Sequence, residues 1–309
     1  MTKEREDITF YFKVNIIIFK LIIQFYKFNM ILGELSSCLD KVFCKNLAMS
    51  WDKAGLQIGN LESEVRRILV TLNVTDAVAD EAASLGAGLI VAHHPLMFNS
   101  IDTILSSRTG EKEILKLVER GIAVYAAHTN YDSMEGGLND FLASKLGLID
   151  LEVIDKQYEQ QDEVENGSGE RGIGRCGRLA GSMTFNEFAA EIKDVFKIDS
   201  FTWMRKEEGD PGEVKVGRVA VAGGSANSLT DKLADMDCDV IVVGEIDYHN
   251  ALKVIEGGRI LVAVGHGNSE KIAVEGISAI LKNYFEENNI EVDVLKSSKG
   301  DKSWRYHIG

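Results

Sequence analysis

Short apolar runs alternate with amphipathic stretches along most of this chain, and that rhythm limits its fold more than any other feature. Arg67–Val74, Leu89–Ala92 and Ile122–Ala127 read as strands, separated by helical periodicity over Asp76–Leu85 and Gly110–Glu119 and followed by a helix over Gly137–Leu146. The rhythm resumes with Cys176–Ala180 extended, Thr184–Phe196 helical, and strands over Ser200–Met204 and Val216–Ala222. Helices over Leu229–Met236 and Tyr248–Ile255 then alternate with strands over Val240–Val243 and Ile260–Val264. A long helix over Glu270–Glu287 and a strand over Ile290–Leu295 close the chain. Thr75 or Asp76 caps one helix, and Thr184 with Glu187 has the spacing of a capping box. Such alternation implies an α/β fold of mixed sheets flanked by helices. Functional groups in such folds gather at the C-terminal ends of strands.

The rhythm breaks twice. Gln157–Gly169 is acidic, rich in Gln and almost free of apolar residues, which puts a boundary between two similar lobes in the 150–174 interval. Residues 1–29 look foreign to the rest of the chain: Ile8–Phe28 is rich in Ile, Phe and Tyr, but Lys13, Lys20 and Lys27 interrupt it. No uncharged run there reaches the roughly 18 residues of a membrane span. The segment reads either as an upstream in-frame start, with the working protein beginning at Met30, or as an amphipathic surface helix that touches membrane. Leu32–Leu47 then has the periodicity of an amphipathic helix. Trp51–Asn60, with Gly55 and Gly59, reads either as a turn that brings backbone close to a site or as a tight hairpin anchored by a buried Trp51.

A formal net charge of −14 argues against a nucleic-acid partner or an anionic membrane surface. Cys38, Cys44, Cys176 and Cys238 lack C-x-x-C spacing, which suits reduced thiols in a cytoplasmic protein.

The chemistry concentrates at strand ends. Of the chain's 6 histidines, His93, His94, His128, His249 and His266 lie at or just after expected strands. Extended backbone would send the His93 and His94 imidazoles to opposite sides, an arrangement suited to two neighbouring metals. His128 and Asp132, like His266 and Glu270, pair an imidazole with a carboxylate four residues on. Glu270 is expected in the first turn of the long helix, where the macrodipole favours a carboxylate. Imidazole and carboxylate ligands without thiolate fit Zn, Mn, Fe, Co or Ni. Glu245 and His249 are candidates for moving a proton beside such a site, although Asp247 could equally make that segment a helix N-cap. Val221–Asn227 is a glycine-rich turn that reads either as a phosphate cradle or as a close-packed turn.

Five stretches in order carry a family resemblance: Trp51–Gly59, His93–Phe98, His128–Asp132 with Gly136–Asp140, Gly244–His249 and Gly265–Lys271. Together they resemble the Nif-three-like dinuclear metal centre family, whose members are known as GTP cyclohydrolase 1 type 2 homologues. The resemblance covers about 30–309 and implies two lobes, about 30–150 plus 259–309, and 174–258, with the C-terminal segment returning to the first. It implies a homohexamer with two divalent metal cations per subunit, held by His93, His94, Asp132, His266 and a bridging Glu270, with His128 as an additional or supporting group. Two functions are implied by it: a metal-dependent hydrolase acting on a small phosphorylated or nucleotide substrate, or a non-catalytic hexameric metal-binding adaptor. Gly267 and Asn268 stand where the family commonly has an aromatic and an acidic residue, which implies a more open pocket wall. Asn250 stands where Asp is common, which weakens a general base there.

Overall fold

The computed structural model describes residues 30–156 and 171–300, so the readings made for 1–29 lie outside the described residues. Apolar runs buried on both faces pair in parallel to build the first sheet: β2 (Arg67–Thr71), β3 (Leu89–Ala92) and β4 (Ala123–Ala126). β1 (Gly55–Ile58) adds antiparallel to β4, and the C-terminal β11 (Asp293–Lys296) adds parallel to β2. The order is β1-β4-β3-β2-β11. Helices α2 (Asp76–Leu85) and α3 (Glu111–Glu119) lie in the connections between the parallel strands. Of the two caps considered for α2, Thr75 supplies it: its Oγ1 accepts from Val78 N at 3.3 Å.

The second sheet comprises β5 (Leu148–Asp155), β6 (Ile173–Thr184), β7 (Thr202–Met204), β8 (Lys215–Ser225), β9 (Val240–Glu245) and β10 (Ile260–Ala263). Its order is β5-β6-β8-β9-β10-β7, with β8, β9 and β10 parallel and the other pairings antiparallel. Both sheets are therefore mixed and flanked by helices, as the alternation implies. Helix α6 (Phe185–Phe196) begins with the expected capping box, in which Glu187 N donates to Thr184 Oγ1 and Thr184 N to Glu187 Oε2.

The sheets share one core. Helix α10 (Ala273–Glu287) packs on β2 and on α5 (Leu138–Lys145), and α5 packs on β6 and β8. One continuous apolar cluster accordingly joins Tyr125, Leu138, Leu142, Val219, Val242, Ile277 and Leu281.

Several elements differ from the sequence reading. The first helix, α1, covers Leu32–Val42 and stops where Cys44 turns left-handed at φ 45°. β5 is an edge strand that enters the first residues of the 150–174 interval, its exposed Asp150 and Glu152 pairing with Arg178 and Arg218; Gln157–Gly169, on which the boundary reading rests, lies outside the described residues. The expected long helix is two: a short α9 (His266–Glu270) and then α10, with Lys271 and Ile272 between them. By sheet membership, Ile260–Ala263 belongs with the second lobe, so the chain returns to the first sheet only after β10 rather than at residue 259. Among the described residues no helix is long and apolar enough to cross a membrane, and the four cysteines are free.

Candidate metal centre

β3 ends at Ala92, and the next two residues leave the strand in a bend. The His93 and His94 rings therefore do not diverge as extended backbone would require; their centroids lie 5.0 Å apart. Each is fixed through Nδ1, which donates to Ala127 O at 2.9 Å in His93 and to Asn73 Oδ1 at 2.8 Å in His94. The same device recurs on the other two imidazoles. His128 Nδ1 lies 2.8 Å from Asp52 Oδ1, and His266 Nδ1 lies 3.0 Å from Glu245 Oε1. Anchoring one ring nitrogen sets the tautomer and leaves Nε2 available to a ligand, the usual arrangement behind a metal-binding histidine.

What these Nε2 atoms meet is Glu270. Its Oε2 lies 2.9 Å from His94 Nε2 and 3.0 Å from His266 Nε2, and its Oε1 lies 3.7 Å from His93 Nε2. Asp132 Oδ1 also lies 3.7 Å from His93 Nε2. His93 Nε2 and Asp132 Oδ1 are both buried without a hydrogen-bond partner. Buried polar atoms are seldom left this way. Two ligand atoms that share an ion at about 2.1 Å each are separated by roughly 3 to 4 Å, so these orphans have the spacing of co-ligands. Glu270 ends the five-residue α9 rather than opening a long helix. Its position comes from His266 one turn back and from His94, so the helix macrodipole does not account for it.

Two groups of ligand atoms fall within 4.8 Å of one another: His93, His94 and His128, and His94, His266 and Glu270. The second is a coherent donor set of two imidazoles and a carboxylate. For His93 we favour Asp132 and Glu270 Oε1 over the three-imidazole grouping, because the latter leaves the buried Asp132 charge unmatched.

The electrostatics agree with a cation-binding role. Burial alone would lower His93, but the Asp132 and Glu270 carboxylates outweigh it and hold the imidazole up at about 9. The hydrogen bond that His266 donates to the Glu270 carboxylate raises it to about 9. His94, where burial dominates, is lowered. Burial raises Asp132 to about 6, while Glu270 stays well below the carboxylate range despite its burial because three imidazoles face it. Against burial, the His128 and Thr129 hydrogen bonds bring Asp52 down to about 2.

A cavity of about 560 Å³ opens over this cluster, with Trp51, Phe98, Gly223, Gly224 and Ser225 among the residues that line it. The glycine-rich stretch is thus the end of β8 and part of the site wall. Gly224 has φ +64°, and a Cβ there would collide with Glu270 Oε1. Its N–H donates to Ser269 Oγ at 3.0 Å, and that hydroxyl donates to His266 O at 2.7 Å. Trp51 is not a buried anchor, since it is 53% exposed.

The structure brings His93, His94, His128, Asp132, His266 and Glu270 together, with Glu245 behind His266. It leaves His249 apart: this residue stands exposed in the first turn of α8 (Tyr248–Ile255), its ring 5.4 Å from Tyr248, and does not line the cavity. Asp247 occupies the N-cap position of α8, but its side chain makes no capping bond. Asn250 Nδ2 donates to Asn227 Oδ1 at 2.9 Å. Gly267 and Asn268 do not line the cavity; Asn268 is buried and donates to Val264 O at 2.8 Å. Asp52, Asn73 and Ser269 are the supporting residues that sequence reasoning passes over. Asn73 lies two residues beyond β2, inside the longer strand that the sequence reads over Arg67–Val74, so nothing there marks it as a strand-end residue.

The family model for Duf34/NIF3 (NGG1p interacting factor 3) matches residues 30–302. A GTP cyclohydrolase 1 type 2 homolog from Streptococcus pneumoniae is 34% identical over 269 residues, 87% of this chain and 96% of its own length. One of the same name from Clostridium perfringens is 31% identical over 268 residues, 87% of this chain and 97% of that one. The crystal structure of a Bacillus cereus protein related to NIF3 superposes with a TM-score of 0.81 at 26% identity, covering 90% of this chain and 99% of the other.

Proposed function

This chain belongs to the Duf34/NIF3 family, and from that premise we propose that it holds two divalent metal cations and acts as a metal-dependent hydrolase on a small phosphorylated or nucleotide substrate. The observation that carries the reading is Glu270, a buried carboxylate with one oxygen between His94 and His266 and the other toward His93. In this reading His93, Asp132 and Glu270 would hold one ion, and His94, His266 and Glu270 would hold the other. The donor set suits Zn, Mn, Fe, Co or Ni. A pair of such ions, when bound, supplies Lewis acidity and makes water a stronger nucleophile near neutral pH.

The chain's own residues do the rest. Asp52, Asn73, Glu245 and the Ala127 carbonyl keep the four imidazoles oriented. Glu245, outside the cavity lining, would act on a proton only through His266, whose Nδ1 it holds at 3.0 Å. His128, which lines the cavity with its ring 5.3 Å from that of His93, would support the ion held by His93. Relatives that share 34% and 31% identity carry the name GTP cyclohydrolase 1 type 2 homolog, which makes GTP the first substrate to try.

The test is metal content and turnover measured together, in wild type and in Glu270→Ala, with GTP and generic phosphodiesters. The reading predicts about two ions per chain and a turnover that disappears with Glu270. Turnover that survives complete loss of metal would sink it. Two ions with no turnover of any substrate would favour the adaptor reading, which the interaction named in the family's own description supports.

A further inference from the structure

Resting on that reading, we infer that Trp51 and Phe98 form a stacking platform that makes the site take a planar heteroaromatic ring joined to an anionic group. Both rings are large, apolar and exposed, at 53% and 48%. Leaving two aromatic faces in water beside the cavity forgoes burial that a ligand would restore. Their centroids lie 5.8 Å apart with the ring planes tilted by 59°, so a ligand ring stacked on one face meets the other ring edge-on; each also meets the His128 ring edge-on, at 6.1 Å from Trp51 and 6.3 Å from Phe98.

The platform is tied to the metal-binding groups through the chain itself. Trp51 immediately precedes Asp52, which orients His128, and Phe98 follows His94 by four residues across Pro95. Gln57 braces that loop, its Oε1 accepting from Leu96 N at 2.8 Å and from Met97 N at 3.2 Å. At about 560 Å³ the cavity lies within the usual range of small-molecule sites, about 300 to 1,000 Å³. Its lining from Gly223 to Ser228 carries no charged side chain. A ring stacked on Trp51 or Phe98 can direct an attached anion toward His94, His266 and the ions they would hold, since both imidazoles line the same cavity.

GMP, AMP and ribose 5-phosphate separate the ring from the anion, because the sugar phosphate lacks only the base. With metal-loaded protein, calorimetry should give GMP or AMP an affinity at least about tenfold above that of ribose 5-phosphate, the order that one stacked base contributes. The double variant Trp51→Ala, Phe98→Ala should lose that preference while retaining its two ions and its affinity for ribose 5-phosphate, and Trp51→Phe should keep most of it. Equal affinities in wild type, or a preference unchanged in the double variant, would overturn the platform. So would a double variant that changes only its oligomeric mass by light scattering, which would make the aromatics a subunit contact. Metal content is read independently, so absence of ions in wild type would indict the two-metal reading instead.

Discussion

At the level of single residues, the site depends on how little room surrounds Glu270. Gly224→Ala would need a left-handed residue to accept a Cβ and would press that Cβ on Glu270 Oε1. We expect a loss of about 1 to 3 kcal/mol by denaturant unfolding, together with fewer than two ions by elemental analysis; a fully loaded, equally stable variant would contradict it. The imidazoles make a pH prediction. With metal chelated, His93 and His266 titrate at about 9 in the folded chain against an ordinary 6.5. A raised pKa gives stability that is complete below about 6.5 and is lost as pH climbs through about 9. Metal competes with those same protons, so its affinity rises across that window. Thermal melts between pH 6 and 9 should show the metal-free protein weakening while the metal-induced rise in Tm grows, and a constant rise would refute the competition. His93, His94, Asp132, His266 and Glu270 are legible in the sequence because imidazole and carboxylate recur at strand ends. Asp52 and Asn73 are not, since a side chain that orients a ligand has no spacing of its own and is defined by contacts across 76 and 21 residues.

At the level of elements, local signals that close within one turn are legible in the sequence. Thr75 and the Thr184–Glu187 box are such signals, as are the doubly buried strands β3 and β4. Thr75→Ala should lower unfolding free energy by about 0.5 to 2 kcal/mol and leave metal content unchanged, which separates fold stability from site integrity. The features that escape a reading of the sequence depend on partners distant in the chain. β5 carries acidic residues that only its edge position explains. The break between α9 and α10 is set by Glu270 reaching His94, 176 residues away, and nothing in helical periodicity announces it.

At the level of the whole molecule, the family resemblance leads us to propose a homohexamer. Light scattering on the purified protein should give about six times the 34.1 kDa chain mass, and a monomer at micromolar concentration would refute it. Within one chain, the arrangement of the two sheets has its own consequence. His93, His94 and Asp132 come after strands of the first sheet, whereas His266 and Glu270 come after β10 of the second. On the proposed metal reading, the ligand set would be complete only when the two sheets hold their mutual angle. Any hinge motion between them would then also change metal affinity, and whatever grips both sheets from outside would load or empty the centre without touching it.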